Sequence, residues 1–293
     1  MKHYIELNHS ISPLNFSLSD SIMEIELCPK ETLPQEINSA PTLLYILEGS
    51  LFVAIAQQSI YLKQDDILLI FRGYPYTLTC SNDNQCTFYK LVCSTYSINK
   101  NSTFALLAPD SYVDIMEYFS FGYKKFLQLK PNKEIHRILD NIFWECSFKN
   151  IYYKEIYNLH SASLLFLVFR ELEFFFAQKD IYVNKHFITA IKYLNANYAQ
   201  KITLKDIAET CNISGSYLSK LFQSALGIPI SQFIIFFRID KAWEMMMSKN
   251  YTLSEIALEI GFSSLQHFSK AFKKEMGMSP KAYLLLIDSK NNK

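Results

Sequence analysis

Glycine is scarce, with 7 among 293 residues, too few for glycine-loop, collagen-like or linker-rich architectures. The six cysteines (Cys28, Cys80, Cys86, Cys93, Cys146, Cys211) contain no CxxC pair. They are too sparse for a disulfide scaffold of this size, and a reduced cytoplasm is expected. Long apolar runs are missing too: Leu164 to Phe169 and Leu43 to Leu47 fall far short of the ~18–20 residues of a spanning helix. The start, MKHYIELNHS, puts His, Glu and Asn where a signal peptide has its apolar core. Histidine is absent between residues 10 and 135; the six are His3, His9, His136, His160, His186 and His267. Neutral imidazoles are what a metal-dependent β-barrel needs, so no metal triad can come from strands in that stretch. There is no P-loop, GxGxxG, GxSxG or HExxH. The expectation is no metal, no cofactor and no enzyme.

What is present is apolar and aromatic. Hydrophobic residues make up 49% and charged ones 19%, with 23 Phe and 19 Tyr, so a packed protein of two ordinary domains is expected. The net charge of +1 conceals a polarity: residues 1–185 hold 16 Lys+Arg against 20 Asp+Glu, residues 186–293 hold 13 against 8. An acidic front precedes a basic back, which is permissive for nucleic acid. From Thr42 the chain shows short aliphatic and aromatic runs broken by Glu48-Gly49-Ser50, Gln57-Gln58, Lys63 to Asp66 and Arg72-Gly73. A turn signal at Ser81 to Asn84 precedes a further strand, Thr87 to Cys93. Such spacing predicts an antiparallel barrel or sandwich. From Pro131 the period becomes helical, through Ile135, Ile138, Leu139, Ile142 and Phe143, and again through Leu164, Leu165, Val168, Phe169, Leu172 and Phe176. The polar stretch Gln178 to Lys185 is the candidate linker.

The most informative feature is a repeat of about 50 residues. TLKDIAETCNISGSYLSKLFQSALGIP starts at Thr203 and TLSEIALEIGFSSLQHFSKAFKKEMGMSP at Thr252. Thr203 with Asp206, and Thr252 with Glu255, have capping-box spacing. Ala208 and Ala257 suit a close helix crossing, and Asn212 and Gly261 suit a turn with positive φ. Ser214 and Ser263 are the expected caps of the second helices, and Gly227 and Gly277 their ends. Leu218, Phe222, Phe268 and Phe272 are read as core. Between the copies lies a helical stretch of roughly 19 residues, about 28 Å at 1.5 Å per residue. That separation approaches one DNA turn, so two recognition helices can enter successive major grooves.

These residues resemble the AraC/XylS family of bacterial transcription regulators. The resemblance covers His186 to Leu286 and rests on Arg238-Ile239 with Ala242, Gly261-Phe262-Ser263-Ser264, His267-Phe268-Ser269-Lys270, Phe272-Lys273-Lys274, and Gly277-Met278-Ser279-Pro280 with Tyr283. Leu284, Lys220 and Lys270 depart from it, standing where Arg is common in the family. The resemblance implies an all-α DNA-binding domain at 181–293 with two helix–turn–helix motifs. It also implies an all-β cupin-like barrel with trailing helices at 1–180 that senses an effector and dimerises. Promoter DNA, RNA polymerase, a small-molecule effector such as a sugar and a second copy are the implied partners, and activation the implied sign. Rival readings are a virulence or stress regulator sensing a lipid, an ion or a protein, and a barrel enzyme fused to a DNA anchor.

Exposed candidates for DNA are Ser216, Tyr217, Ser219 and Lys220 on the first recognition helix, and Leu265, Gln266, His267 and Lys270 on the second. Gln suits adenine, Lys guanine, and Leu a thymine methyl; Lys273, Lys274 and Lys281 suit phosphate. Tyr45, Glu48, Tyr74, Tyr76, Phe88 and Lys90 are the candidate lining of an effector pocket. The apolar helices at 151–179 are read as core or dimer interface.

Overall fold

A computed structural model of the chain describes residues 3–6, 21–81, 85–92, 125–177, 184–248 and 250–291. The described residues fall into two compact units, one up to residue 172 and one from residue 173. The expected boundary at 180/181 and most of the candidate linker lie outside the described residues.

The first unit is built from antiparallel strands: β1 (His3–Glu6), β2 (Ser21–Leu27), β3 (Thr42–Glu48), β4 (Ser50–Ile55), β5 (Gln58–Lys63), β6 (Ile67–Ile70), β7 (Tyr76–Cys80), β8 (Cys86–Val92) and β9 (Phe126–Leu129). They form two sheets, ordered β1-β2-β8-β3-β6-β9 and β5-β4-β7. The expectation of a cupin-like barrel is corrected here: among the described residues no ladder closes one sheet on the other. β6 is occupied by β3 on one side and β9 on the other, and the small sheet ends on β5 and β7. The chain passes between sheets at Gly49, where φ is +77° and a Cβ would collide with the Gln85 carbonyl oxygen.

Burial follows the strand period. β4 alternates Leu51, Val53 and Ile55 inward with Phe52 and Ala54 outward, whereas β3 and β6 are buried on both faces. One face of the large sheet is covered by α1 (Lys133–Phe148). Tyr89 reaches Asp140 at 3.0 Å and its ring lies 5.4 Å from Phe143, while Tyr45 stacks on His136 at 4.8 Å. α1 begins at Asn132, whose side chain accepts from the Glu134 and Ile135 amides, and ends at Lys149 in the left-handed conformation. α2 (Tyr153–Ala177) follows and is tied back to α1 by Arg170 to Glu134 at 3.1 Å and Asn132 to Glu171 at 3.2 Å.

The second unit is helical: α3 (Lys185–Asn197), α4 (Leu204–Thr210), α5 (Gly215–Leu226), α6 (Ile230–Ser248), α7 (Leu253–Glu259), α8 (Leu265–Met276) and α9 (Pro280–Asn291). Its core is a chain of aromatic rings. Phe187, Phe222, Phe233 and Phe237 touch in series around the first motif, and Phe262, Phe268, Phe272 and Tyr283 around the second, at 5.0–6.4 Å between centroids. Among the described residues no single helix is long and apolar enough to cross a membrane.

Candidate nucleic-acid interface

Each motif starts with a reciprocal cap. Thr203 accepts from the Asp206 amide while Asp206 accepts from the Thr203 amide at 2.8 Å, and Thr252 and Glu255 repeat the arrangement at 2.7 Å. Both carboxyls are held below their ordinary pKa, chiefly by these hydrogen bonds to threonine. The turns then rely on left-handed backbone at Asn212 (φ 52°) and Gly261 (φ 83°). In each copy the amide of the residue just after the left-handed position donates to the alanine carbonyl: Ile213 to Ala208 at 3.0 Å and Phe262 to Ala257 at 2.9 Å.

The copies diverge at the next step. Ser214 caps α5, its side chain accepting from the Tyr217 amide at 3.2 Å. The expected counterpart, Ser263, does not cap α8; Ser264 does, accepting from the His267 amide at 3.2 Å. Ser263 is the extra residue of the longer second turn and is exposed. A cap needs extended backbone followed by helix, and the run Ser263-Ser264 offers two chemically equal candidates, so residue type alone selects neither. Gly227 and Gly277 end α5 and α8 in the left-handed conformation, as expected from the sequence.

Arg238, on the joining helix α6, fixes the second motif against the first. Its guanidinium donates to the carbonyls of Tyr198 (2.9 Å), Gln200 (2.8 Å) and Gly261 (2.8 Å), and lies 5.8 Å from the Phe262 ring. One planar fork thus holds three backbone segments: the end of α3, the approach to α4, and the turn between α7 and α8. Burial lowers its pKa from the usual arginine value. Gly261 lies under the same fork: a Cβ there would stand 2.7 Å from the Ala199 carbonyl oxygen, 2.9 Å from that of Tyr198 and 2.9 Å from Arg238. This role for Arg238 was missed from sequence, although a lone cation in the apolar run FIIFFRI was its signal.

The proposed DNA-facing residues stand on the sides of α5 and α8 away from the aromatic core. Ser216, Tyr217 and Lys220 are exposed and Ser219 half-buried; Gln266, His267 and Lys270 are exposed and Leu265 half-buried. Tyr217 accepts from the Asn184 side chain at 3.4 Å and meets His186 edge-on at 6.4 Å. His186 in turn bonds the Cys211 carbonyl through Nδ1 at 2.8 Å. His267 sits edge-on to Phe262 at 5.2 Å. Lys273 and Lys274 are exposed on the last turn of α8, and Lys281 on α9. α5 and α8 are each twelve residues long and capped by serine, so their amino ends present partial positive charge beside these side chains.

The six effector candidates do not line one pocket. Register puts Tyr45 opposite Tyr89 on the face covered by α1, where its hydroxyl donates to Asp65 at 2.7 Å. Phe88 and Lys90 lie on the opposite face of the same sheet, toward the small sheet and Tyr76. There Lys90 is paired with Glu36. The Tyr76 hydroxyl donates to Glu36 at 2.9 Å and accepts from Asn38, which also donates to Thr42 at 2.6 Å. Burial, then Glu36, raises the Tyr76 pKa well above normal. Tyr74 is buried, while Glu48 is exposed at the end of β3. Glu36 and Asn38 were missed because they lie in an irregular segment joined to β7 by the Glu36–Tyr76 bridge.

Comparison with known proteins agrees with this geometry. A family model described as a helix-turn-helix domain matches residues 207–285. The HTH-type transcriptional regulator YfiF of Bacillus subtilis is 36% identical over 115 residues, which are 39% of this chain and 36% of that protein. The lactose operon transcription activator of Staphylococcus xylosus is 26% identical over 243 residues, 81% of each chain. Among solved structures, ToxT of Vibrio cholerae aligns over 90% of this chain and 97% of its own at 17% identity, with a TM-score of 0.49. The paired capped motifs and their joining helix coincide with the matched residues 207–285, so the second unit carries a helix-turn-helix domain similar to those of proteins named as transcription regulators.

Proposed function

We propose that the chain is a promoter-binding activator that responds to a small molecule, with α5 and α8 as its reading helices. The observation that carries this reading is the duplication itself: two serine-capped helices with exposed polar faces, joined by the 19-residue α6. At about 28 Å, α6 brings the two motifs near the spacing of successive major grooves. Ser216, Tyr217, Ser219 and Lys220 read one half-site, and Leu265, Gln266, His267 and Lys270 the other. Lys273, Lys274 and Lys281 neutralise phosphates. The protein acts as a homodimer and contacts RNA polymerase. The two-sheet unit is the sensor, in the position a cupin-like domain holds in the family. The name of the Staphylococcus xylosus relative supports a sugar as effector class. Ligand binding shifts the population of sensor arrangements and thereby the affinity for paired half-sites.

The test is selection of bound duplexes from a randomised pool by the full chain, followed by gel shifts at 50 and 200 mM salt. The expected product is a site with elements about 10 base pairs apart. Five lysine–phosphate or lysine–base contacts per protomer give a slope near −4.5 in log K against log salt for each protomer bound, so affinity falls about 10²- to 10³-fold per protomer over that range. Failure to enrich any sequence, with or without a sugar panel, would refute the reading of these helices as sequence readers.

A further inference from the structure

Among the described residues of the second unit, Glu275 is the one acid or base that is buried, at 4% exposure. Its place on α8 offers nothing locally to a negative charge. It stands in the last turn, where the carbonyl end of a helix repels an anion. The matching residue of the first motif, two before the closing glycine, is Ala225, which is buried as well. A small apolar side chain fills the place in the first copy, so the motif itself does not call for a carboxylate out of water.

The partner of Glu275 lies on another helix. The Gln232 side-chain amide, in the first turn of α6, donates to Glu275 Oε1 at 2.6 Å. That bond is short and charge-assisted, hence directional. It sets the carboxylate beside the amino end of α6, the end of a helix that favours an anion. The Arg238 fork holds α8 at its other end, through the Gly261 carbonyl just before the helix begins. α8 is therefore tied to α6 twice, by the fork at its start and by Glu275 at its finish.

The fork fixes where α8 begins, and the second tie fixes the direction in which it runs. Phe268 and Phe272 hold α8 on the core, but apolar contact is non-directional. About 15 Å separates Leu265 from Glu275 along the helix. If the far end shifts by about 2 Å, Lys270, halfway along, shifts by about 1 Å, enough to spoil a hydrogen bond to a base edge. Leu265 and Gln266, next to the fork, move far less.

We propose that Glu275, through Gln232, is a positioning residue that sets the angle of α8 and with it the discrimination of the half-site α8 reads. The inference rests on α8 being a reading helix, as argued above. Glu275 acts through the helix and needs no contact with DNA.

Selection of bound duplexes by the full chain, followed by affinities for the selected site and for unrelated DNA, reads the result. Lys270→Ala marks the half-site that belongs to α8, as the one whose base preference it erodes. Glu275→Ala, which copies the first motif, should blur that same half-site, most at the base pair Lys270 reads, and leave the other sharp. The ratio of specific to unrelated affinity should fall about three- to tenfold, with affinity for unrelated DNA within twofold of the parent. Glu275→Gln keeps the shape and an acceptor, so it should stay near the parent. Gln232→Glu sets two carboxylates against each other and should behave like Glu275→Ala. Adding Glu275→Gln to it reverses the bond and should restore the ratio to within twofold. Emission of the buried Trp243 on α6, in a Trp144→Phe background, shows that each variant is folded in the binding assay. Both half-sites as sharp as the parent's in folded Glu275→Ala, discrimination lost equally from both, or a reversed pair that restores nothing would each overturn the positioning role while leaving the reading helices in place. A parent that enriches no sequence would overturn the reading itself.

Discussion

Removing the Arg238 fork should loosen the second unit without touching any DNA-facing side chain. Arg238→Met keeps an apolar stem beside Phe262 but deletes three charge-assisted hydrogen bonds to backbone carbonyls. Bonds from a charged donor contribute roughly 1.5–3 kcal/mol each. The site is only half-buried, so water restores part of what is lost. The expected net cost is about 2–4 kcal/mol, and Arg238→Lys, which retains one donor direction, should cost roughly half. The protein supplies its own reporter: of two tryptophans, Trp144 is exposed in the first unit and Trp243 is buried in the second. In a Trp144→Phe background, Trp243 emission follows unfolding of the DNA-binding unit alone, so the two units need not unfold together for the measurement to hold. With a urea slope of about 1–2 kcal/mol per molar, the midpoint should fall by about 1–4 M in Arg238→Met. A midpoint moved by less than about 0.3 M would show that water replaces the fork without loss, and the account of Arg238 as the frame of the paired motifs would fail.

Lys220→Ala and Lys270→Ala should each weaken operator binding and each reduce the salt slope by about one, with the Trp243 transition unchanged; slopes equal to the parent's would remove these residues from the interface. Gly261→Ala should cost about 2–4 kcal/mol in the same urea assay, because φ of +83° and the Ala199 and Tyr198 carbonyls both oppose a Cβ, and wild-type stability would refute that geometry. Lys90→Met removes the buried cation from the partly exposed Glu36, which keeps the Tyr76 hydroxyl, so the first unit should lose about 1–3 kcal/mol by Trp144 emission or far-UV dichroism, while the Trp243 transition stays in place. The pKa values of Asp206 and Glu255 are depressed in the folded state, so their caps support stability above the ordinary carboxylate range and lose it as pH falls through the folded values. Asp206→Asn with Glu255→Gln should therefore flatten the fall in Trp243-reported stability on acidification, and an unchanged slope would place the acid sensitivity elsewhere.

The DNA-binding unit was legible because its signals are local. Thr203 with Asp206, Asn212, Gly227 and their counterparts act within a few residues of themselves, and each capping and turn role follows from chemistry within one helical turn. Where two neighbours were chemically alike, as at Ser263 and Ser264, the sequence could not choose. The strand unit was legible only as strands. Which candidates share a face depends on contacts made well beyond one helical turn or hairpin: Tyr45 with Tyr89, and Tyr76 with Lys90 and Glu36. No local pattern in the runs TLLYILE or CTFYKLV, buried on both faces, carries that register. The same non-locality left barrel and sandwich undivided in the sequence, since β6 pairs with β9 from beyond residue 125.

The acceptors of the Arg238 fork are all main-chain oxygens, and this separates what the protein recognises from what holds it in position to do so. A bond to a carbonyl survives any exchange of the side chain beside it, so Tyr198 and Gln200 can be replaced without withdrawing an acceptor. The exposed faces of α5 and α8 donate nothing to that frame. On the proposed reading, new letters can therefore be written on α5 or α8, one at a time, while the distance between them stays as the backbone sets it. A regulator built this way can drift from one operator sequence to another without passing through an unfolded intermediate, but it cannot easily change the interval between the two words it reads.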